Sequence, residues 1–359
     1  MKKQVQLSDH FTYSHLLRFT LPSIGMMIFT SIYGMVDGFF ISNFVGKTAF
    51  ASVNLIIPFL QILGGVGAML GVGGSALVAK TLGEGDVQRA RRYFTMMMYL
   101  MLGTSIFLTV VGIVVLRPVA YLFGATDAMI GDVMTYGTIC LVFNTALQAQ
   151  YTFQSYLIVA EKPQFALKVV VAAGISNMVL DFLFMAIFHM GVAGAAFIFL
   201  GVFNGYSQGS SPIMGYHYGA HNYKEMKNVL KKSLIILGTA GVVLTTLAIL
   251  LARPLSAVFV GYDAELLDMT ARAFWICATP FLVMWFNMYT SSFFTALNDG
   301  AVSAGISFMR ALVLPVICII VLPMIWELDG VWYSLVASEV LGVLVSLYFM
   351  LSKRKKYHY

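Results

Sequence analysis

The stretch SIYGMVDGFFISNF, residues 31–44, sets one carboxylate, Asp37, among apolar and small neighbours. If the stretch crosses a bilayer, a charge near its centre costs about 2.5–3.5 kcal/mol on insertion scales, so an acid kept there has a use. Whether it spans decides the fold, and composition answers that. The chain has 359 residues, 59% hydrophobic and only 11% charged, with a mean hydropathy of +0.84. A soluble domain carries roughly a quarter charged residues. Apolar runs of about twenty residues recur between short polar clusters, and about twenty suffice to cross some 30 Å of hydrocarbon. The expected fold class is an all-α polytopic membrane protein.

Ten spans are expected: 16–44, 50–81, 93–116, 133–159, 165–188, 191–217, 232–252, 270–297, 301–323 and 331–351. With the N-terminus in the cytoplasm, cytoplasmic segments hold 17 of the 22 lysines and arginines. The positive-inside rule then puts both termini in the cytoplasm. The net charge of +6 is thus an orientation signal, and nucleic acid is not an expected partner. The start, MKKQVQLSDHFTYSHLLRF, is polar for too long to be a cleavable signal peptide. Cys140, Cys277 and Cys318 lie singly in apolar runs, as helix-packing residues do.

The chain repeats itself. GGSALVAKTLGEGDVQRARRYF (73–94) and GSSPIMGYHYGAHNYKEMKNVL (209–230) share a plan: an apolar span ending in Gly83 or Gly219, a polar linker, and a basic amphipathic start. At the same offset of 136, Arg117–Pro118 becomes Arg253–Pro254 and Asp132 becomes Asp268. The matched spans run in one direction, so the repeat is parallel, about an axis along the membrane normal. The first lobe has two spans before its linker and the second only one, 191–217. That span starts like a sixth helix, GVAGAA, and ends like an eighth, as though roughly one and two-thirds helices were missing from a duplicated twelve-helix plan.

These segments resemble the multidrug and toxic compound extrusion (MATE) transporters. LPSIGMMIFTSIYGMVDGFFISNFVG is similar to their first helix, and the two repeated stretches are similar to their inter-helix signatures. The resemblance implies two six-helix lobes around a central cavity in the cell (inner) membrane, exporting organic, often cationic, compounds in exchange for Na⁺ or H⁺. Here it implies a N-terminal lobe at 1–196 and an incomplete C-terminal lobe at 197–359, with an internal deletion near residue 196. It implies no cofactor beyond the coupling ion, and no enzyme chemistry.

The intramembrane acids can be read without the resemblance. Asp37 lies nine residues before Gly46 and Asp181 ten before Gly191, so at 1.5 Å per residue both sit about 14 Å below the outer surface. If the first and fifth spans are neighbours, the two acids share one depth and can share one proton, titrating as a unit. Asn177, four residues before Asp181, lies on the same helix face, where its carbonyl can ligate Na⁺. The alternative is that each acid pairs with a hydroxyl or amide and only holds helices together. The resemblance favours coupling, since VDGFF and NMVLD match the family's acid on helix 1 and Asn-x-x-x-Asp on helix 5. Its sixth-helix contribution falls near Phe199, a residue without the chemistry.

Met26, Thr30, Tyr33 and Asp37 align on one face of the first span, with Pro22 a turn earlier as a bend point or a packing kink. The fourth span carries a polar stripe: Tyr136, Cys140, Asn144, Gln148, Tyr151 and Ser155. Such a stripe lines a cavity or bonds to another helix, not to lipid. Asn287, Ser291 and Asn298 make a shorter one in the second lobe, and Arg310 and Glu339 lie close enough in depth to pair. Gly67 and Gly71 form a GxxxG motif that permits close helix packing. The expected function is a cation-coupled antiporter. A non-transporting relative and a lipid-linked-sugar flippase are the alternatives, the latter disfavoured because Arg310 is nearly alone as a cavity cation.

Overall fold

The computed structural model describes residues 6–44, 47–185, 193–260 and 264–359. Within these, the side chains at 33–44, 47–50, 176–185, 193–201, 255, 257–260, 265, 266 and 328 lie outside the description. Among the described residues the regular structure is all helical. The elements are α1 (Tyr13–Phe44), α2 (Lys47–Gly83), α3 (Val87–Leu122), α4 (Ile130–Val142), α5 (Asn144–Val159), α6 (Pro163–Met185) and α7 (Ala193–Gly219). They continue as α8 (Tyr223–Val260), α9 (Ala264–Ala278), α10 (Phe281–Ala296), α11 (Gly300–Phe308), α12 (Leu314–Val321) and α13 (Pro323–Tyr357), with a π-helical turn, Met309–Val313, joining α11 to α12.

Among the described residues, ten helical segments fall on the ten expected spans, with α4 and α5, α9 and α10, and α11 and α12 each taken together. By length and apolarity alone, seven helices among the described residues can cross a membrane, and the bent pair α4–α5 makes an eighth. α6 and α7 abut the undescribed 186–192. A single helix, α7, occupies the stretch expected to combine the beginning of one family helix with the end of another. Large apolar side chains such as Leu122, Val114 and Leu351 point outward, as lipid-facing positions require.

Two bundles pack side by side. α2 packs on α3, α4 and α5; α10 packs on α7, α8, α11 and α13; α2 and α7 pack on each other. The fourth pass breaks at Phe143, bent by 48°, and the ninth and tenth helices break at Thr279–Pro280, 136 residues on. Pro280 has no N–H to continue the ladder, which accounts for the second break. The first has no proline or glycine, and sequence alone did not mark it.

Four turns at the basic end of the bundle share one hydrogen-bond plan. After α2, Gly85 N–H donates to Leu82 O (3.1 Å) and Asp86 N–H to Thr81 O (3.3 Å). After α7, His221 and Asn222 repeat this on Tyr218 O and His217 O (3.1 and 2.9 Å). Glu161–Lys162 and Asn298–Asp299 do the same after α5 and α10. These are Schellman closures, with the left-handed residue at Gly85, Glu161, His221 and Asn298. Asp86 and Asn222 then accept from the N–H of Arg89 and Glu225, the same capping contact at the same offset.

The repeat becomes a contact where α2 crosses α7. A Cβ on Gly83 would lie 2.0 Å from Tyr216 O, and one on Gly219 would lie 1.9 Å from Lys80 O. Lys80 and Tyr216 are again 136 apart, so each helix presents its last glycine to the equivalent carbonyl of the other. Gly215 faces Ala79, its own repeat mate, at 3.6 Å, which sets the pseudo-two-fold axis between them.

Candidate functional site

The expected cation site rests on Asp37, Asn177 and Asp181, and Tyr33 was expected beside it. All four side chains lie outside the described residues. Their helices are described: α1 packs along α6, and Gly25 sits against Leu167 (3.3 Å from a built Cβ to Cδ1). Of the other residues on that face of α1, Met26 is fully buried in the main apolar core and Thr30 is half-buried. α1 runs unbroken through the buried Pro22, which borders a cleft between α1 and α6 lined also by Arg18, Leu21, Gln164 and Lys168.

The polar stripe on α4 and α5 turns towards helices rather than a cavity at two of its expected lining positions. Gln148 donates to Leu63 O (3.3 Å), and Thr152, one turn on, donates to Gly67 O (3.2 Å). Asn144 donates to Thr109 Oγ1 (3.4 Å) on α3. The reason is the GxxxG on α2. Without Cβ atoms at Gly67 and Gly71, α5 approaches so closely that the Gln148 and Thr152 backbones lie where those Cβ atoms would be. The Gln148 amide and the Thr152 hydroxyl are then within reach of α2 carbonyls and are used there. Tyr136 and Tyr151 are half-buried.

The polar cavity that the structure does show lies between the lobes and into the second. It has a volume of about 340 Å³ and reaches from Met27 of α1 and Val72 of α2 to α7, α10 and α11. Its wall is rich in small hydroxyls. Ser307, Ser291, Ser303 and Thr295 form a hydrogen-bonded row with spacings of 2.7, 3.0 and 2.6 Å. Asn204, Gln208, Asn287 and Arg310 add amides and one cation. Asn287 and Ser291 belong to the short stripe read from sequence; Asn298 does not line the cavity but holds the left-handed turn after α10. The serines at 303 and 307 carried a signal, a four-residue spacing of hydroxyls in an apolar helix, that sequence reading passed over.

Behind this wall, Arg310 and Glu339 do pair. Arg310 Nε donates to both carboxylate oxygens (2.9 and 3.1 Å), and Asn287 Nδ2 donates to Oε2 (2.8 Å). Ser346 donates to Asn287 Oδ1 (2.9 Å), which orients the amide. Asn287 fits because position 342 is glycine: a Cβ there would come within 2.7 Å of its Nδ2.

At the basic end, the segment before α1 straps the two bundles. Leu7 and Phe11 are buried. Leu7 N–H donates to Glu161 Oε1 (2.7 Å) after α5, and Phe11 N–H donates to Glu225 Oε1 (2.8 Å) on α8. His10 Nδ1 lies 2.6 Å from Glu225 Oε2, and Asn228 Nδ2 donates to Phe11 O (3.1 Å). Nothing in the composition of this polar segment announced that role.

Comparison with known proteins adds to these observations. The MatE family model matches twice in succession, over residues 22–183 and 184–320. The chain is 21% identical to the multidrug export protein MepA of Staphylococcus saprophyticus over 184 residues, 51% of this chain and 41% of that protein. It thus spans about two fifths of the length of the curated relatives it matches. Among solved structures, an outward-facing multidrug resistance MATE transporter of the MOP superfamily superposes with a TM-score of 0.81 at 18% identity, over 100% of this chain and 99% of that one. A MOP superfamily transporter from Pyrococcus furiosus, described as having a binding pocket of reverse polarity that suggests a different function, superposes at 0.80 with 17% identity, over 98% of each chain. At these identities the likeness is one of fold. Two consecutive family matches over a pseudo-two-fold pair of helical bundles lead to one conclusion: this membrane protein belongs to the MATE family.

Proposed function

We propose that the chain is a cation-coupled antiporter, driven by H⁺ or Na⁺, that exports organic cations across the cell membrane, with both termini in the cytoplasm. The observation that carries this is the packing of α1 along α6. Gly25 and Leu167 are level with each other. Asp37 lies 12 residues further along α1 and Asp181 lies 14 further along α6, a rise of about 18 and 21 Å. The two helices point the same way, which supports the two acids lying within about one helical turn of the same depth on adjacent helices. Two carboxylates so placed in low dielectric do not both ionise easily; a proton or Na⁺, the latter with the Asn177 carbonyl as a further ligand, relieves the pair. Cation loading then favours one position of α1 and lowers affinity for the exported compound.

The test is efflux from liposomes. Purified protein is reconstituted, a fluorescent organic cation is loaded, and an H⁺ or Na⁺ gradient is imposed. Asp37→Asn and Asp181→Asn should each cut gradient-driven efflux to background while leaving the amount of folded protein unchanged. Normal gradient-driven efflux by either variant would overturn the coupling assignment. A second reading, a membrane protein that binds but does not transport, draws on the second lobe. There α7 is the repeat mate of α2, and no described helix matches α1. Absence of gradient-driven efflux by the unmodified chain would select it.

A further inference from the structure

The cleft between α1 and α6 is a separate recess, outside the cavity that lies between the lobes. It has a volume of about 880 Å³ and carries two basic residues, Arg18 and Lys168, in its wall. Leu17, Arg18 and Leu21 share one face of α1, and Gln164, Leu167 and Lys168 share one face of α6, so each helix turns a single mixed face to it. The cleft opens sideways: Leu21 is 56% exposed, and Phe165, beside Gln164 on α6, is 55% exposed. Arg18 stands 26 residues before Phe44, the far end of α1, a rise of about 39 Å. That carries it past some 30 Å of hydrocarbon into the headgroup layer at the basic end of the bundle. Lys168 lies five residues into α6, which starts at that same end, and a lysine so placed extends its stem towards the headgroups.

Both cations lack a counter-ion. Among the described residues neither has an ion pair or a hydrogen-bond acceptor, and no carboxylate lines the cleft. Other bases at this end are engaged: Lys80 pairs with Glu84, Lys356 with Asp299, and Lys232 donates to Phe11 O. Arg18 is also half-buried, and a charge drawn partly out of water without a partner is costly. An anion in the cleft removes that cost. We infer that the cleft binds an anionic phospholipid, its phosphodiester on Arg18 and Lys168 and its acyl chains along Leu21 and Leu167. A recess with apolar sides and two cations at headgroup depth matches both halves of such a lipid, and basic pockets between membrane helices recur as headgroup sites. A guanidinium offers paired N–H donors to phosphate oxygens. Phosphatidylethanolamine would bring an ammonium for which the cleft has no carboxylate, so the anionic lipid is preferred. The site depends on neither ion coupling nor efflux.

Lipid binding tests it. Delipidated full-length protein in mild detergent is titrated with phosphatidylglycerol and, separately, with phosphatidylethanolamine of the same chains. Bound lipid is counted by native mass spectrometry, and the thermal unfolding midpoint is followed in parallel. The first phosphatidylglycerol should bind roughly tenfold or more tightly than phosphatidylethanolamine and should raise the midpoint. In Arg18→Gln/Lys168→Gln that preference should vanish. Neither cation has a protein partner to orphan, so the lipid-free midpoint of this variant should match that of the unmodified protein. Lys224→Gln/Lys227→Gln removes the same charge from exposed positions on α8 outside the cleft, and should keep the preference. Equal affinities in the unmodified protein, a preference that survives the cleft variant, or an equal loss in the α8 variant would each overturn the inference. Inorganic phosphate in excess should leave the lipid bound; release by phosphate would mark a site for a free anion and overturn the lipid assignment.

Discussion

Substituting alanine for the two crossing glycines should separate α2 from α7. At Gly219 the added Cβ would stand 1.9 Å from Lys80 O, and at Gly83 it would stand 2.0 Å from Tyr216 O; ordinary contact begins at 3.4 Å. Each substitution is short of room by about 1.5 Å, and the obstacle is backbone, which no rotamer change clears. Overpacking of this kind costs about 1–3 kcal/mol. Both substitutions demand the same displacement along the pseudo-two-fold, so Gly83→Ala with Gly219→Ala should cost clearly less than the two singles added. Gly73, on the same helix as Gly83, has nothing within 4 Å of a built Cβ. Gly73→Ala should be neutral or stabilising by up to about 1 kcal/mol through helix propensity. The assay is thermal unfolding in a mild detergent, where roughly 2–4 °C corresponds to 1 kcal/mol in a domain of 150–250 residues. A Gly219→Ala midpoint equal to that of Gly73→Ala refutes the crossing. Full additivity of the pair refutes the shared displacement.

Two further outcomes follow from the basic end. Glu225→Ala removes the acceptor of Phe11 N–H and the partner of His10 and Asn228; hydrogen-exchange protection of the Leu7–Phe11 amides should fall about tenfold or more, the worth of a hydrogen bond to a charged group, and unchanged protection would show that the strap is held by its apolar side chains alone. At Asp299, burial would raise the carboxyl, but hydrogen bonds from Tyr357 and Val302 N–H with Lys356 nearby outweigh it and hold the group below its ordinary value. A depressed acid stabilises the folded state above its unfolded pKa, about 3.9, and loses that contribution as pH falls through the folded value. Exchange protection of residues 353–359 should therefore be flat from pH 5 to 8 and drop below about pH 4, and Asp299→Asn should abolish the drop.

How much of this was legible in the sequence depends on what each feature needs. The passes were legible because apolar length is the one property a bilayer enforces. The repeat was legible because the helix crossing requires glycine at both Gly83 and Gly219, and the turn that follows each requires a capping side chain, Asp86 or Asn222. Pairing of Arg310 with Glu339 was legible because an unpaired charge at membrane depth is costly. The direction of the α4–α5 stripe was not. A polar stripe states that a face avoids lipid, and Gln148 satisfies that equally against Leu63 O or against a cavity; the choice was made by glycines on another helix, Gly67 and Gly71. The break at Phe143 has no residue that marks it. The hydroxyl row was hidden because serine and threonine in membrane helices commonly bond their own i−4 carbonyl, as Thr295 also does with Ser291 O, so their spacing alone does not declare a cavity. The strap was hidden because Leu7 and Phe11 are only two apolar residues in a polar segment, and their burial depends on Glu161 and Glu225, some 150 and 210 positions away.

The glycines of α7 explain how the second lobe engages the first. Gly205 and Gly209 are one GxxxG pair, and their missing Cβ atoms leave room for Ile24 Cα, at 2.4 Å from the built position, and for Ser23 and Thr20 of α1. Gly215 and Gly219 are a second pair, and they admit α2 at Ala76 and Lys80. One helix therefore seats both leading helices of the first lobe in succession, and it also packs on α10. α1 is held between α6 and α7, one from each lobe. In the proposed mechanism the cation acts on α1 and α6, well above Gly25. A shift of α1 that relieves the two acids moves Ser23 and Ile24 against backbone on α7, where close packing leaves no slack. The displacement must then pass to α7 or be refused by it. α7 also supplies Asn204, Ser207 and Gln208 to the cavity wall. In the proposed mechanism the cation site and the cavity are thus joined through a glycine-lined helix contact.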